Sequence, residues 1–117
     1  MVNQVNLGAR IVSDISLRNT TKKEVPVADF RVIHKGRKLA HPLFIDVEVW
    51  GNEARRVYEN VKRGDTVVIV GELRRDVWET KETKEPRSKI KITASRVVVT
   101  EQARIKPVEI DTTNNLV

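Results

Sequence analysis

The residues that could do chemistry centre on one stretch of the chain, 44–51, in which polar or aromatic residues alternate with aliphatic ones. Because successive side chains of a strand point to opposite faces, this pattern predicts a β-strand. Large rings beside charges on a solvent-facing strand indicate a binding surface rather than packing. The aliphatic face, predicted to line the core, comprises Leu43, Ile45, Val47 and Val49. The opposite face, predicted to meet solvent, carries Phe44, Asp46, Glu48 and Trp50.

Further aromatic and basic residues fall on the outward faces of other predicted strands. Basic side chains neutralise phosphates, and flat rings stack on bases that have no duplex partner, each stacked base contributing about 1–3 kcal/mol. The combination favours single-stranded nucleic acid, because a duplex hides its base faces. The alternative is that the rings fill a dimer interface or cover the ends of a barrel. The predicted binding residues are Phe44, Trp50, Trp78, Arg10, Arg31, Lys35, Lys38, Arg74, Lys89 and Lys91.

Asp46 and Glu48 form the one carboxylate pair whose spacing could serve acid–base catalysis or hold a metal. We expect them instead to pair across strands with Arg74 or Arg31. Both histidines are isolated in a predicted loop, and the chain has no cysteine, no phosphate-binding loop and no dinucleotide fingerprint. The sequence therefore predicts no catalytic residue, no metal site and no cofactor, and so a protein that is not an enzyme.

The charge balance points to a polyanionic partner. Lys and Arg number 22 against 16 Asp and Glu, which gives a net charge of +6 over 117 residues. The chain contains no long apolar run and no basic, apolar leader at its N-terminus. These features predict a cytoplasmic, nucleoid-associated protein with no membrane partner.

Alternation predicts five strands, at about 2–12, 25–35, 44–51, 66–78 and 88–99. Segment 13–24 is polar, with a turn predicted at 19–23, and 79–87 is predicted to be a hairpin tip or an extended loop. The basic loop 34–42 is either an arm that closes on the third strand or a solvated hairpin tip. Besides the stretch already described, the inward side chains are predicted to be Val5, Leu7, Ala9, Ile11, Ala28, Phe30, Val32, Val67, Ile69, Gly71, Leu73, Val77, Ile90, Ile92 and Ala94.

A helical period replaces the alternation after residue 51. Asn52 is the predicted N-cap of this short helix, and Gly64 is predicted to end it in a left-handed conformation. Its apolar stripe is predicted to comprise Ala54, Val57, Tyr58 and Val61.

Five strands with one short helix between the third and fourth is the order of an OB-fold, an all-β, five-stranded Greek-key barrel. We expect residues 1–100 to form this single domain. Residues 101–117 lack periodicity and are predicted to be a short flexible C-terminal tail.

An ordered set of motifs from about Val2 to Val99 resembles the bacterial single-stranded DNA-binding protein family (SSB). The matching residues are Asn3-x-Val5-x-Leu7, Arg10-Ile11, Asp14, Val27-Ala28-Asp29-Phe30, Phe44-Ile45-Asp46-Val47-x-Val49-Trp50-Gly51, Gly64-Asp65-x-Val67-x-Ile69-x-Gly71-x-Leu73-Arg74 and Trp78.

The resemblance implies an OB-fold that assembles into a homotetramer, with a dimer as the alternative, and binds single-stranded DNA without sequence preference. The family's stacking aromatics fall on Phe44, Trp50 and Trp78. A further aromatic that the family often uses in the loop after the second strand is replaced here by histidines and cations, which predicts more salt-sensitive binding. The first loop lacks the family's proline after Asp14 and its turn glycine, so we expect a different loop shape.

The chain stops at Asn115-Leu116-Val117 without the family's acidic tip ending in phenylalanine. That tip recruits replication and repair proteins, so the sequence gives no basis for predicting such partners.

The sequence therefore predicts a protein that coats and protects single-stranded DNA during replication, recombination and repair. The first alternative is an OB-fold accessory of replication restart or recombination that acts mainly through protein contacts. The second is an OB module that binds RNA or tRNA.

Overall fold

The barrel is a ring of five strands. A computed structural model describes residues 1–20, 24–37 and 41–103. Within the ring, β1, β5, β6, β4 and β3 each pair with the next, and β1 pairs back with β3. This closed ring, with α1 between its third and fourth strands in chain order, confirms the predicted architecture. The elements are β1 (Val5–Ile11), β2 (Ser16–Asn19), β3 (Pro26–His34), β4 (Leu43–Trp50), α1 (Asn52–Asn60), β5 (Thr66–Glu79) and β6 (Pro86–Glu101).

The short strand β2 lies outside the ring and was not predicted. Within the part of the chain that the structure describes, it pairs with β3 alone, from Ser16 opposite Asp29 to Asn19 opposite Pro26. Within the polar segment 13–24 only a turn at 19–23 was expected, because the four residues of β2 are too few to show alternation. Leu17 alone among them packs, partly buried, against the core. Most of the predicted tail, together with residues 21–23 and 38–40, lies outside the described residues.

The core inside the barrel follows the predicted alternation in most strands. The predicted inward residues that are buried are Ala9, Ile11, Ala28, Phe30, Val32, Val47, Val49, Val67, Ile69, Ile92 and Ala94. Ala54, Val57 and Val61 of the predicted helical stripe are buried too. Tyr58 is not, because it is 50% exposed on α1. Leu43 is also exposed, at the end of β4 farthest from the helix.

Strands β5 and β6 continue beyond the barrel as a two-stranded projection, here called the projecting hairpin (residues 72–90). Strand β5 pairs with β1 only up to Gly71. Strand β6 pairs with β4 only from Lys91 onward. Among the described residues no further strand pairs with the hairpin and no core lies beneath it, so both of its faces are exposed. The prediction that Leu73, Val77 and Ile90 point into the core is therefore wrong, since they are 44–60% exposed.

Two bulges bend β6 around the barrel. The register with β5 shifts at Ser95 and again at Thr100, each of which has no residue opposite it. The Ser95 hydroxyl donates to the Val70 carbonyl and the Thr100 hydroxyl to the Thr66 carbonyl, both at 3.2 Å. Bulges increase local twist and let a sheet curve, so these hydroxyls hold the strand where it turns.

Helix α1 is anchored to β6 by a pair of charged side chains. The Glu53 carboxylate accepts from the Val97 backbone N–H at 3.0 Å and from Arg56 Nε at 2.8 Å. Arg56 in turn donates to the Val97 carbonyl. The helix, nine residues long, covers one end of the barrel core through Ala54 and Val57. No helix in the described ranges is long and apolar enough to cross a bilayer.

The ends of α1 differ from the predicted ones. Gly51, with φ of +73°, occupies the N-cap, so Asn52 is the first helical residue and not the cap. The helix ends at Asn60 and is followed by an extended Val61. Gly64 does adopt a left-handed φ of +96°, but in a later turn, where its N–H donates to the Ile11 carbonyl at 2.8 Å.

Replacing Gly71 should destabilise the fold, because the hairpin leaves the barrel at this residue. A Cβ here would lie 2.8 Å from Ala94 Cα and closer still to the Thr93 carbonyl oxygen. We expect Gly71→Ala to lower the free energy of unfolding by about 1–3 kcal/mol in urea denaturation. Gly8→Ala is the matched control, since a Cβ at Gly8 meets nothing within 4 Å. Equal effects of the two substitutions would contradict this account.

Candidate nucleic-acid interface

The outward side chains of β3, β4, β6 and β5 form one continuous surface, here called the outer sheet face. The register carries one row across all four strands, since Arg31 lies opposite Asp46, Asp46 opposite Lys91, and Lys91 opposite Arg74. Because residues at alternate positions of a strand share a face, the residues two positions before and after each member of this row lie on the same face. The face comprises Asp29, Arg31, Phe44, Asp46, Glu48, Trp50, Glu72, Arg74, Asp76, Trp78, Arg87, Lys89, Lys91 and Thr93.

Three aromatic rings stand on this face and remain accessible. Phe44, Trp50 and Trp78 are 43–48% exposed. Phe44 and Trp50 lie at opposite ends of β4, six residues and therefore about 20 Å apart. Trp78 lies on the projecting hairpin, opposite Arg87. Rings that are half exposed on a sheet present a flat apolar surface to solvent, which suits stacking.

Phe44 and Trp50 are held by polar neighbours. The Arg31 guanidinium lies over the Phe44 ring, 5.5 Å from its centroid, in cation–π geometry. The Trp50 indole N–H donates to Glu48 Oε2 at 2.7 Å. Each contact restrains its ring, and both rings nevertheless remain nearly half exposed.

Between the rings lies a group of paired charges, here called the charged cluster. It lines a groove of about 470 Å³. Its ion pairs link five strands of the sheet, β2 to β6, and each acidic member accepts from at least one cation. The members are Arg18, Asp29, Arg31, Asp46, Glu48, Asp76, Lys89 and Lys91.

Asp46 lies at one end of the cluster and pairs with two cations. It contacts Lys89 Nζ directly and Arg31 Nη1 at 3.5 Å. Pairing of Asp46 with Arg31 was one of the two predicted options and is confirmed. The other option, Arg74, is wrong, because Arg74 lies 3.7 Å from Glu72 on its own strand.

Glu48 is the buried centre of the cluster. It was expected to face solvent, but it is only 7% exposed, because side chains from three strands close over it. Its Oε1 accepts from Lys91 Nζ at 2.8 Å and lies 3.7 Å from Arg18 Nη2. Burial by itself would raise the pKa of Glu48. The hydrogen bonds from Lys91 and Trp50, with the charges of Lys91 and Arg18, outweigh burial and hold the pKa below its usual range.

Lys91 bridges Glu48 on β4 to Asp76 on β5. Its ammonium lies 2.8 Å from a carboxylate oxygen of each, and its side chain is 17% exposed. Burial by itself would lower the pKa of Lys91. The hydrogen bonds to Asp76 and Glu48, and the charges of both, raise it above the ordinary value instead. Lys91 is therefore a fixed positive charge rather than a proton carrier at neutral pH.

The remaining predicted site residues lie at the margin of the face. Arg10 lies opposite Ile33, which in turn lies opposite Phe44, so Arg10 continues the Phe44 row around the barrel. Arg10 and Lys35 line a recess of about 260 Å³ at this margin. Lys38 lies outside the described residues. The structure thus brings the three rings and Arg31, Arg74, Lys89 and Lys91 onto one surface, with Arg10 and Lys35 beside it.

Sequence reasoning missed three members of the cluster, Arg18, Asp29 and Asp76. Arg18 reaches it from β2, where its Nε donates to Asp29 at 2.8 Å, and β2 itself was unpredicted. Asp76 was placed on the outward face of its strand but was not connected to Lys91, because the two lie on a diagonal that depends on register. Within the described residues, no three histidines, aspartates or glutamates are placed to hold a metal ion.

With this geometry established, comparison with known proteins identifies the family. The model of the "Single-strand binding protein family" matches residues 2–100. The chain belongs to this family. A thylakoid-associated single-stranded DNA-binding protein of Synechocystis sp. is 33% identical over 98 residues, which cover 82% of the SSB-family chain and 74% of the relative.

Two further relatives are longer than this SSB-family chain. The single-stranded DNA-binding protein of Treponema pallidum is 29% identical over 82% of the chain, and that of Corynebacterium glutamicum is 30% identical over 80%. The matched regions span 56% and 44% of those proteins. The crystal structure of an SSB domain from Synechococcus sp. superposes with a TM-score of 0.67 at 26% identity, covering 84% of this chain and 96% of that one. This match, together with the five-stranded ring, confirms the predicted OB-fold.

Neutralising Glu48 in this SSB-family chain should weaken the fold in a pH-dependent way. We expect Glu48→Gln to lower the free energy of unfolding at pH 7 by about 1.5–3 kcal/mol, because hydrogen bonds to a charged group are lost or weakened. The folded-state pKa is depressed, so this stabilisation is fully present above the unfolded value near 4.3 and is lost as the pH falls through the folded one. Urea denaturation at a series of pH values from 7 downward measures the free energies of unfolding of both proteins. We expect the two values to converge below about pH 4.3.

Glu59→Gln is the control for that series. Glu59 is exposed on α1 and forms no ion pair among the residues that the structure describes. We expect this substitution to change the free energy of unfolding by less than about 0.5 kcal/mol. A Glu48→Gln protein as stable as wild type at pH 7 would show that the cluster does not stabilise the barrel.

Proposed function

We propose that this chain binds single-stranded DNA without sequence preference and coats strands exposed during replication, recombination and repair. The observation that carries the proposal is the set of three half-exposed rings beside cations on the outer sheet face. Membership of the single-strand binding protein family and the names of the relatives support it.

Binding would combine stacking with neutralisation of phosphates. Bases of an unpaired strand stack on Phe44 and Trp50 along β4 and on Trp78 along the hairpin, and every base has a π-face to offer. Stacking of this kind does not distinguish one base from another, which accounts for the lack of sequence preference. The phosphates between the stacked bases meet the cations that flank the rings. The proposed contacts are Phe44, Trp50, Trp78, Arg10, Arg31, Lys35, Lys38, Arg74, Lys89 and Lys91.

We propose that the chain acts without catalysis, like the rest of its family, which is a non-catalytic DNA-binding family. The carboxylates that could have served as acid and base are engaged in ion pairs with Arg31, Lys89 and Lys91. The domain responsible comprises residues 1–100, and its working compartment is the cytoplasm around the nucleoid.

We propose that the chain assembles as a homotetramer. In the described chain, β1 pairs with β3 only through Arg10 and Ile11, so one backbone edge of Val5–Ala9 has no neighbouring strand. Its Gly8 carbonyl is covered by the His34 ring nitrogen at 2.6 Å. An open edge of this kind supports pairing with a second copy. The exposed apolar side chains of Leu73, Val77 and Ile90 support further contacts between copies.

Tryptophan fluorescence tests the proposed function directly, because both tryptophans lie on the outer sheet face. Titration with poly-dT should quench the emission strongly, and the binding should weaken as salt rises, since counterions are released from the phosphates. Duplex DNA of equal length is the control. No quenching, or an equal response to duplex, would overturn the stacking mechanism in favour of a role in protein contacts. If a matched RNA oligomer bound more tightly than poly-dT, the partner would be RNA instead of single-stranded DNA.

Truncating one aromatic ring should weaken DNA binding by the free energy of stacking one base on that ring. We expect Trp78→Ala to raise the Kd for poly-dT by about 5- to 150-fold, which corresponds to the 1–3 kcal/mol of one stacked base. Tyr58→Ala is the matched control, because Tyr58 is exposed to a similar extent but lies on α1, outside the outer sheet face. Fluorescence anisotropy of a labelled oligonucleotide measures both. Equal losses in the two variants would show that Trp78 does not stack.

A further inference from the structure

The cations at the centre of the outer sheet face are already occupied. Within the described residues, Lys89 contacts Asp46, Arg31 lies 3.5 Å from the same carboxylate, and Lys91 lies 2.8 Å from both Glu48 and Asp76. A phosphate that approaches these cations meets carboxylates in the positions that its own oxygens would take. Binding of a strand here is therefore an exchange of one anion for another.

The carboxylates of the cluster differ in how readily they can be exchanged. Glu48 is buried and is held by the Trp50 indole and Arg18 as well as by Lys91, so it stays in place. Asp76 has a side chain that is 51% exposed, lies on the projecting hairpin, and pairs with Lys91 alone among the described residues. Exposed ion pairs are weak and easily screened, so Asp76 is the member that a phosphate can displace.

We propose that Asp76 is a resident competitor of the DNA phosphate at Lys91. In the free protein it occupies the exposed side of the Lys91 ammonium, while Glu48 occupies the buried side. A phosphate takes the place of Asp76 and keeps Glu48 as the inner partner of the lysine. This inference rests on the proposed binding of single-stranded DNA and adds that one acidic residue of the interface lowers the affinity and eases release.

The test compares four proteins for binding to a poly-dT oligomer at low ionic strength. Asp76→Asn removes the competing charge and should tighten binding by about two- to fivefold, the equivalent of one exposed ion pair. Asp76→Glu keeps the charge and should bind like wild type. Glu79→Gln is the matched control, because it changes the net charge equally on the same hairpin but lies next to Trp78 in sequence and so on the opposite strand face. It should tighten binding distinctly less than Asp76→Asn.

A double-mutant cycle shows whether the effect passes through Lys91. In a Lys91→Gln background, Asp76→Asn should tighten binding much less than it does in the wild type, because the competed cation is gone. An equal gain in both backgrounds, or a gain from Glu79→Gln as large as that from Asp76→Asn, would overturn the inference. Should Lys91→Gln fail to fold, the comparison of Asp76→Asn, Asp76→Glu and Glu79→Gln decides alone. Failure of the wild type itself to bind poly-dT would instead refute the proposed function, and with it the inference.

Discussion

The buried carboxylate of Glu48 is the interaction on which the outer sheet face depends. It accepts from Trp50 on its own strand and from Lys91 on β6, it faces Arg18 on β2, and through Lys91 it reaches Asp76 on β5. A buried charge lowers the stability of the fold unless it is fully paired. Removal of any one donor therefore destabilises the whole group. One side chain thereby fixes the orientation of the Trp50 indole and the position of the Lys91 ammonium.

The barrel and the face are built by different means. Closure depends on apolar burial and on two bulges whose hydroxyls, from Ser95 and Thr100, bond back to β5. The face consists of charges and aromatic rings that sit above this core, and only its buried Glu48 group also stabilises the barrel. Its exposed residues are therefore open to variation without loss of the barrel, which fits an OB-fold as a scaffold for binding.

Alternation along the chain predicted the rings and most of the core because both depend only on which face a residue takes. Phe44, Trp50 and Trp78 were assigned outward from this pattern. The pattern failed at Leu73, Val77 and Ile90, since it reports the face of a strand and not whether another layer lies beneath that face. It also failed for Arg18 and Asp76, whose roles depend on an unpredicted short strand and on the register between strands. Pairings across register come from tertiary structure, and no local period encodes them.

The change at Gly71 from barrel to two-stranded hairpin divides the interface into parts of unequal stability. A two-stranded ribbon without a core beneath it is marginal by itself, whereas strands of a closed, packed ring open only with the whole domain. In a single copy of the chain, we therefore expect the amide hydrogens between 72 and 90 to exchange through local opening, at a lower free energy of opening than those of β4. Phe44 and Trp50 thus lie on a rigid part of the interface. Trp78 lies on a more flexible hairpin, which can adjust to the irregular path of a single strand of nucleic acid.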